Sequence, residues 1–316
     1  MTHGTTKWDL HREVTQHIVD AIEAGAPRFE MPWHRSAATG QPLNARTGHP
    51  YRGINTVSLW ASAQKRGFGS GFWASYRQWQ DLDAQVRKGE KASLIVFYKE
   101  LAREVRNEMT GEIAEETYRL ARASRVFNAD QVDGWESPPP PQRGEAEAIA
   151  HADAFVASTG ADIRHGGERA CYRWDKDWIH IPQREWFVGS STSSPTETYY
   201  ATLLHELTHW TGHESRLDRL LRLARFGSAT YAMEELVAEL GAAFLCAELS
   251  ITNAPRMDHA AFIESWIAVL KRDPKAIFTA AAKANEAVTF LGSFQQNQMP
   301  SDGAASTLES REEAMP

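Results

Sequence analysis

The residues best suited to chemistry lie in the pentapeptide HELTH at positions 205–209. In an α-helix, residues four apart lie one turn apart on the same face, so His205 and His209 can present two imidazoles to one metal ion. Zinc binds neutral histidine nitrogens and lowers the pKa of a water that it binds toward about 7. Glu206 is placed to take the proton of that water and to pass it to a leaving amine. The spacing therefore predicts one zinc ion per chain, with Glu206 as the general base of a hydrolase.

A carboxylate from a second helix is expected to complete this zinc site. The run MEELVAELGAAFL begins at Met233, twenty-four residues after His209, and it carries three glutamates. Glu235 and Glu239 are four apart and share a helix face. We therefore predict Glu235 as the third ligand and Glu239 as an acceptor that orients a ligand imidazole. Glu234 and Glu239 stay open as alternative ligands.

Other interpretations of the same residues also stay open. His213 continues the row of histidines one turn beyond His209, but Gly212 is expected to end the helix. His213 is therefore interpreted as a polar neighbour of the site, with a ligand role as the alternative. Zinc could also hold the fold without turnover, or the histidines could lie on a surface helix and bind nothing.

The sequence around the motif predicts the elements that must position it. A helix and three short strands are expected before it, over 145–158, 162–165, 170–174 and 178–181. The histidines lie on a later helix with Pro195 near its first turn, where proline is tolerated. Two or three further helices are expected between Tyr231 and Leu291.

The N-terminal half predicts a mixture of helices and strands. Leu10, Val14, Ile18 and Ile22 recur every four residues and predict an amphipathic helix over 9–24. The further elements expected are a helix near 54–66, a helix from 71 to about 86, and strands over 93–100 and 122–132. The charged segment 100–117 is interpreted as the connection between the two strands, which could pair as a long hairpin.

A proline-rich segment predicts two domains. The four consecutive prolines in SPPPPQRG, residues 137–144, cannot join a helix or a central strand. We therefore place an interdomain linker there, between an N-terminal α+β domain, residues 1–136, and a C-terminal domain, residues 145–292. The polar and acidic residues 293–316 are expected to be disordered. The predicted fold class is α+β.

Aromatic and basic residues interleave between Arg28 and Lys99. Eleven Lys or Arg stand against four Asp or Glu there, a local balance of +7, although the whole chain has a formal net charge of −7. Cations follow phosphates and aromatic faces stack on unpaired bases, so this mixture favours single-stranded nucleic acid. The sequence shows no helix-turn-helix or zinc-finger pattern typical of duplex recognition. Burial of the aromatic residues in a core is the alternative.

The cysteine content and the hydropathy of the sequence indicate where in the cell the protein is located. Cys171 and Cys246 are too few for a disulfide framework, and both are expected to be buried core residues. No stretch approaches the roughly 20 consecutive apolar residues of a transmembrane helix. The polar N-terminus lacks the apolar run of a signal peptide. The chain is therefore predicted to be cytoplasmic, with no membrane partner.

Three N-terminal runs resemble the N-terminal domain of ArdC-type antirestriction proteins: PWHRSAATGQPLNARTGHPYRGINTVSLW, GFWASYRQWQDLDAQVRKGEKASLIVFYKE and RVFNADQVDG. The same domain type is found in primases of conjugative plasmids. The runs YYATLLHELTHWTGHESRLDR, YAMEELVAELGAAFLCAELSI and IESWIAVLKRDPKAIFTAAAKANEAV resemble the zincin-like metallopeptidase domain of those proteins. The resemblance implies a C-terminal fold with a small sheet, a ligand helix and a glutamate helix.

The resemblance also implies site residues and partners. It matches His205 and His209 to the metal ligands, Glu206 to the general base, and the helix that contains Glu235 to the third ligand. It implies that the N-terminal domain binds single-stranded DNA. Together with the composition, it makes the following residues candidate DNA contacts: Trp33, Arg35, Arg46, Tyr51, Arg52, Asn55, Trp73, Arg87, Lys88 and Lys91.

We therefore expect an antirestriction protein that binds single-stranded DNA, protects incoming plasmid DNA during conjugation and carries a zinc-dependent peptidase domain. Host restriction proteins and proteins crosslinked to DNA are the candidate substrates. Two other functions stay open. One is a protein that masks DNA and uses zinc only structurally, and the other is a regulatory peptidase whose N-terminal domain recognises protein.

Overall fold

The computed structural model of the 316-residue chain describes residues 9–28, 30–34, 40–106, 113–136, 138, 144–190, 192–219, 227–253 and 260–296. Arg35, one of the candidate DNA contacts, lies outside the described residues. Most of the predicted linker over 137–144 and the predicted tail beyond residue 296 also lie outside them.

Two helices of the N-terminal half form where the periodicity predicts them. α1 (Leu10–Gly25) buries its apolar stripe, and the side chain of Asp9 accepts hydrogen bonds from backbone N–H groups of its first turn. α2 (Ile54–Arg66) ends at Gly67, whose φ of 70° is the left-handed conformation that glycine adopts without strain. Both helices turn apolar side chains toward the core.

The remaining elements of this half are six strands and a short helix: β1 (Leu43–Asn44), β2 (Phe72–Ala74), α3 (Tyr76–Gln80), β3 (Gln85–Val86), β4 (Ser93–Arg106), β5 (Ile113–Asn128) and β6 (Val132–Asp133). β1 pairs in parallel with β2, and β5 pairs antiparallel with both β2 and β4. The resulting sheet has the order β1-β2-β5-β4, and β3 and β6 form a separate antiparallel pair.

The helix predicted from residue 71 to about 86 is wrong over most of its length. Residues 72–74 form β2 because their backbone pairs with β5 at Phe127 and Asn128. Helical structure begins only at Tyr76, after a capping box at Ser75, and it ends after five residues. Pairing with a distant strand therefore overrode the local helical pattern.

The predicted hairpin is confirmed, but its strands are longer than expected. β4 and β5 extend into the charged segment 100–117, and they pair antiparallel from Ser93 with Val126 to Arg106 with Ile113. Backbone groups make this ladder, so it does not require apolar side chains. The interpretation of 100–117 as a connection is corrected for this reason.

The C-terminal half contains α4 (Glu145–Ser158), β7 (Asp162–His165), β8 (Cys171–Arg173), β9 (Trp178–Ile181), α5 (Pro195–Thr211), α6 (Ala229–Leu249), α7 (Ala260–Arg272) and α8 (Ala276–Gln296). β9 lies between its parallel neighbour β7 and its antiparallel neighbour β8. The predicted helix and strands before the HELTH motif are confirmed. α8 continues to Gln296, so the tail predicted from residue 293 begins within a helix.

Side chains from both halves share the largest cluster of buried residues. α1 packs against α7, and α2 packs against α8. The ring of Trp60 lies 5.7 Å from that of Phe244, and the ring of Trp33 lies 6.0 Å from that of Trp266. The described parts of the two halves therefore form a common core. None of the helices in the described part of the chain has both the length and the apolar character of a membrane span.

Candidate metal centre and nucleic-acid surface

Two crossing helices carry the residues of the predicted metal site. α5 begins with Pro195 in its first turn, and Ser194 and Glu197 form a capping box there. α6 contacts α5 where Gly241 faces the side chain of Thr208. Because Gly241 has no side chain, the two helices approach closely and the glutamates of α6 reach the histidines of α5.

The structure brings His205, His209 and Glu235 together. One candidate ligand atom from each residue lies within 4.8 Å of the other two. The Glu235 carboxylate lies 3.5 Å from Nε2 of His205 and 3.7 Å from Nε2 of His209. Ligand atoms about 2.0 Å from a tetrahedral zinc ion are about 3.3 Å apart. Two imidazole nitrogens and a carboxylate at these separations fit a divalent metal ion, and their ligand roles stay predictions.

The other nitrogen of each imidazole faces a second carboxylate. Nδ1 of His205 lies 3.2 Å from Glu239, and Nδ1 of His209 lies 3.2 Å from Glu234. Such partners select the tautomer of a ligand histidine and direct Nε2 toward the metal. Glu239 thus occupies the position expected for an orienting acceptor. Glu234, an alternative ligand in the sequence, lies on the opposite side of its imidazole from Glu235.

Arg219 holds Glu234 in this arrangement. Its Nη2 and Nε atoms lie 2.8 and 3.1 Å from the Glu234 carboxylate oxygens, and it also donates to Oγ1 of Thr211. Burial opposes the charge of Glu234, but hydrogen bonding to His209 and the charge of Arg219 outweigh it and lower the pKa of this carboxyl. Glu234 is therefore ionised, and its carboxylate oxygens contact His209 and Arg219.

The Glu235 carboxyl is also ionised. Burial opposes its charge, but hydrogen bonding to His205 and the charges of His209 and His205 outweigh burial and lower the pKa of Glu235 to about 2. A hydrogen bond with Tyr231 acts in the same direction. The ionised carboxylate is the form that binds a metal ion.

Within the described residues, Glu206, Cys171 and His213 are not members of this group. Glu206 is buried, and its charge adds to the effect of burial in raising the pKa of the Cys171 thiol. Cys171 is only half-buried because it lies on the edge strand β8, whereas Cys246 is buried as predicted. Nδ1 of His213 lies 2.8 Å from Oγ of Ser215, and within the described residues His213 is not part of the metal-binding group.

Two of the candidate DNA contacts are core residues. Trp33 and Trp73 are 0% and 1% exposed, and their rings pack edge to face with Trp266 and Phe68. Neither ring presents a face on which a base could stack. This burial corrects the sequence-based assignment of both tryptophans to the DNA surface.

Asn55 and Tyr51 also have structural contacts. Nδ2 of Asn55 donates to the backbone oxygen of Val96 at 2.9 Å, and Oδ1 accepts from its backbone N–H at 2.7 Å. Both ends of the amide therefore hold α2 against β4. Tyr51 is buried, and its hydroxyl accepts a hydrogen bond of 3.1 Å from Asn44.

The remaining described candidates are exposed cations: Arg46, Arg52, Arg87, Lys88 and Lys91. Arg46 pairs with Asp81, and Arg87 pairs with Asp133 and Glu90 at 3.3 and 3.2 Å. These are surface ion pairs, which water and salt screen, so phosphates can compete for the guanidinium groups.

A pocket of about 500 Å³ lies next to this basic surface. Its lining includes the candidates Arg46 and Tyr51, and also Arg77 and Phe97. The ring of Phe97 is 52% exposed. The sequence analysis did not select Arg77 or Phe97 because no local pattern shows which aromatic residues of a segment stay outside the core.

Known proteins match this chain in both halves. The family model for the N-terminal domain of the anti-restriction factor ArdC matches residues 8–127, and the family model for a zincin-like metallopeptidase matches residues 150–283. The metal-free crystal structure of the antirestriction protein ArdC from plasmid R388 is 41% identical in sequence. It superposes with a TM-score of 0.73 over 93% of this chain and 100% of that chain. The chain belongs to the ArdC antirestriction family.

A second structure of the R388 protein and two further proteins are also similar to this chain. The Mn(II)-bound structure of the R388 protein is 39% identical, with a TM-score of 0.70 over 92% of this chain and 100% of that chain. Uncharacterized protein y4eC of Sinorhizobium fredii (strain NBRC 101917 / NGR234) is 45% identical, over 92% of this chain and 94% of its own length. DNA primase TraC of Escherichia coli is 37% identical over 96% of this chain, but the match spans only 29% of that primase.

Membership in the ArdC family confirms the predicted α+β fold class and the zincin-like C-terminal domain. The sequence analysis missed two residues that contact the glutamates around the predicted metal site. Arg219 holds Glu234, and Nε2 of His34 lies 3.3 Å from Glu239. His34 stands in one of the runs that resemble ArdC, but no spacing rule relates residue 34 to residue 239.

Proposed function

We propose that this chain is an antirestriction protein that binds single-stranded DNA and hydrolyses peptide bonds with a bound divalent metal. The observation that carries the proposal is the group of His205, His209 and Glu235, in which His209 is half-buried and the other two residues are buried, beside the buried Glu206. Two imidazoles and a carboxylate suit zinc, and the related R388 protein is known with Mn(II). One zinc ion per chain is therefore the first candidate, and manganese is the second.

The metal ion and the residues around it have different roles in the proposed hydrolysis. A bound divalent metal would supply Lewis-acid polarisation of the peptide carbonyl and an acidified water. Glu206 takes a proton from the attacking water as the new C–O bond forms, and it returns the proton to the amine nitrogen as the C–N bond breaks. Glu234 and Glu239 keep the two imidazoles oriented throughout. The arrangement supports hydrolysis without a covalent intermediate on the protein.

The N-terminal surface supports the DNA part of the proposal. Phe97 offers an exposed aromatic face beside a pocket whose size falls in the range of small-ligand sites. Arg46 and Arg77 line the same pocket and supply positive charge for phosphates. We infer that an unpaired base stacks on Phe97 while the backbone follows the arginines. A protein tethered to incoming plasmid DNA in the cytoplasm would meet restriction proteins and other DNA-bound proteins, which are the proposed peptide substrates.

Fluorescence anisotropy of the full-length protein tests the DNA site. The labelled probes are a single-stranded oligonucleotide and its duplex, each at two salt concentrations. We expect preferential binding of the single strand, with an affinity that falls as salt rises. Phe97→Ala should weaken single-strand binding by about 1–3 kcal/mol, the range for one stacked base. Trp186→Ala is the matched control, because Trp186 is also an exposed aromatic residue, at 62%, but lies in the C-terminal half. Equal losses in both variants, or no preference for the single strand, contradict the assignment.

Glu206→Gln tests the peptidase part. The substitution removes the general base but keeps the shape of the side chain, so fold and metal content should not change. Cleavage of a restriction enzyme bound to DNA should fall about 10²–10⁴-fold, the range for loss of general acid–base catalysis. Protection of plasmid DNA transferred into a restricting host should fall with it. If the Glu206→Gln protein protects DNA as well as the parent, peptide hydrolysis is not the protective activity and the protein acts by masking DNA.

A further inference from the structure

His34 belongs to the N-terminal half, but its imidazole lies beside the metal site of the C-terminal half. Its side chain is only 2% exposed. Nε2 of His34 lies 3.3 Å from Oε1 of Glu239, and Oε2 of Glu239 lies 3.2 Å from Nδ1 of His205. One carboxylate therefore bridges an imidazole of the N-terminal half and a proposed metal ligand.

The backbone determines which nitrogen of His34 carries the proton. The N–H of Met31 donates to Nδ1 of His34 at 3.0 Å, so Nδ1 must present a lone pair and the proton lies on Nε2. Nε2–H then donates to Glu239. The second oxygen of Glu239 lies 3.2 Å from Nδ1 of His205. When Nδ1 of His205 carries the ring proton, the lone pair lies on Nε2, the nitrogen that faces Glu235 and would face a bound metal ion.

The loop that carries His34 is fixed against the C-terminal half. Nδ2 of Asn253 donates to the backbone oxygen of Trp33 at 3.2 Å. The Trp33 ring packs against Trp266, whose Nε1 donates to the backbone oxygen of Ala232 at 3.0 Å. Ala232 lies in the first turn of α6, just before the glutamates of the metal site. The loop therefore has a defined position relative to Glu239.

We propose that His34 is a positioning residue of the metal centre, supplied by the N-terminal half of the chain. The hydrogen bonds of His34 with Met31 and Glu239 hold the Glu239 carboxylate beside Nδ1 of His205, where it favours the His205 tautomer that binds a divalent metal through Nε2. The inference rests on the metal site of the proposed function. It adds that metal binding and the seating of residues 31–34 are linked, so each stabilises the other.

Two amide substitutions separate the two contacts of His34. In His34→Gln, the side-chain nitrogen can reach Glu239 as Nε2 does. In His34→Asn, the side-chain oxygen can still accept from Met31, but the shorter side chain cannot reach Glu239. His17→Asn is the matched control, because His17 is a partly buried histidine of the same half whose Nε2 contacts Ser62 at 3.0 Å, away from the metal site.

Metal affinity of the full-length, metal-free protein is measured with Zn²⁺ and with Mn²⁺ by competition against a chromophoric chelator. We expect His34→Asn to weaken binding about tenfold, the lower end of the range for residues that support metal ligands. His34→Gln and His17→Asn should bind as the parent does. If the parent binds one metal ion and His34→Asn binds equally well, the inference is overturned while the proposed function stands. If the parent binds no metal, the proposed function itself fails.

A measurement on the unaltered protein decides the question if a variant does not fold. Long-range ¹H–¹⁵N spectra of metal-free protein labelled at the histidine rings report the tautomer of each imidazole. We expect the Nε2–H tautomer for His34, with assignments from single histidine substitutions. The Nδ1–H tautomer at His34 would overturn the inference.

Discussion

Gly241→Ala offers a quantitative test of how the metal site is assembled. A Cβ atom at position 241 would lie 2.5 Å from Cγ2 and 2.7 Å from Oγ1 of Thr208. Non-bonded carbon atoms pack at about 3.5–4.0 Å, so α5 and α6 must separate by about 1 Å. The Thr208 side chain cannot move aside easily, because it is fully buried and its Oγ1 donates to the backbone oxygen of Leu204.

The sign of the stability change follows from two opposing effects. Alanine is better than glycine in a helix interior by about 0.8–1.0 kcal/mol. Overpacking of a core costs about 1–3 kcal/mol. We therefore expect Gly241→Ala to lower the free energy of unfolding by up to about 2 kcal/mol. The metal affinity should suffer more, since metal–ligand distances tolerate only about 0.2 Å of change. A loss of at least about tenfold is expected.

Urea unfolding of the metal-free protein and titration with Zn²⁺ measure the two effects separately. Gly292→Ala is the matched control, because Gly292 also lies in a helix but a Cβ there meets nothing within 4 Å. The control should be stabilised by up to about 1 kcal/mol and should bind metal as the parent does. If Gly241→Ala behaves like Gly292→Ala in both assays, the close approach of α5 and α6 is not what sets the ligand geometry.

Three further substitutions test individual contacts by urea unfolding. Arg219→Met removes the cation that faces the buried Glu234 carboxylate and should lower the free energy of unfolding by about 3 kcal/mol or more. A smaller loss would show that His209 or water is enough to stabilise the charge of Glu234. Asn55→Ala should lower the free energy of unfolding by about 1–3 kcal/mol, because it leaves the N–H and C=O of Val96 without their side-chain partner. Unchanged stability together with weakened DNA binding would indicate that Asn55 contacts DNA. Ser194→Ala removes the cap of α5 and should cost about 1 kcal/mol, whereas no change would mean that Glu197 alone satisfies the helix end.

Much of the fold could be predicted where local pattern and tertiary environment agree. α1 and α2 form where apolar periodicity and glycine ends predict them, and the hairpin of β4 and β5 forms where two apolar runs predict it. The pattern failed at Phe72–Ala74, whose strand is stabilised by pairing with β5 more than fifty residues away. It also failed along the outer hairpin, where backbone pairing continues through a segment with many charged side chains.

The candidate DNA surface shows the limit of composition. Tryptophan and arginine content predicts a mixture suited to single-stranded DNA, but composition cannot say which rings are buried. Trp33 and Trp73 are in the core, whereas Phe97 is exposed. Trp73 and Phe97 lie on strands of one sheet, and Trp33 lies on a loop. In each case, burial depends on which other elements of the folded chain cover the ring.

The sequence by itself determined the pair of histidines and the neighbouring glutamate, because spacing of four residues on a helix places two side chains on one face whatever the rest of the fold does. Only the tertiary structure decided the roles of Glu234, Glu235 and Glu239. The rotation of α6 about its axis and its distance from α5 place Glu235 at the Nε2 atoms of the two histidines. They place Glu239 at Nδ1 of His205 and Glu234 at Nδ1 of His209. The contact of His34 with Glu239 also comes from tertiary structure alone, because residues 34 and 239 meet only when the two halves pack together.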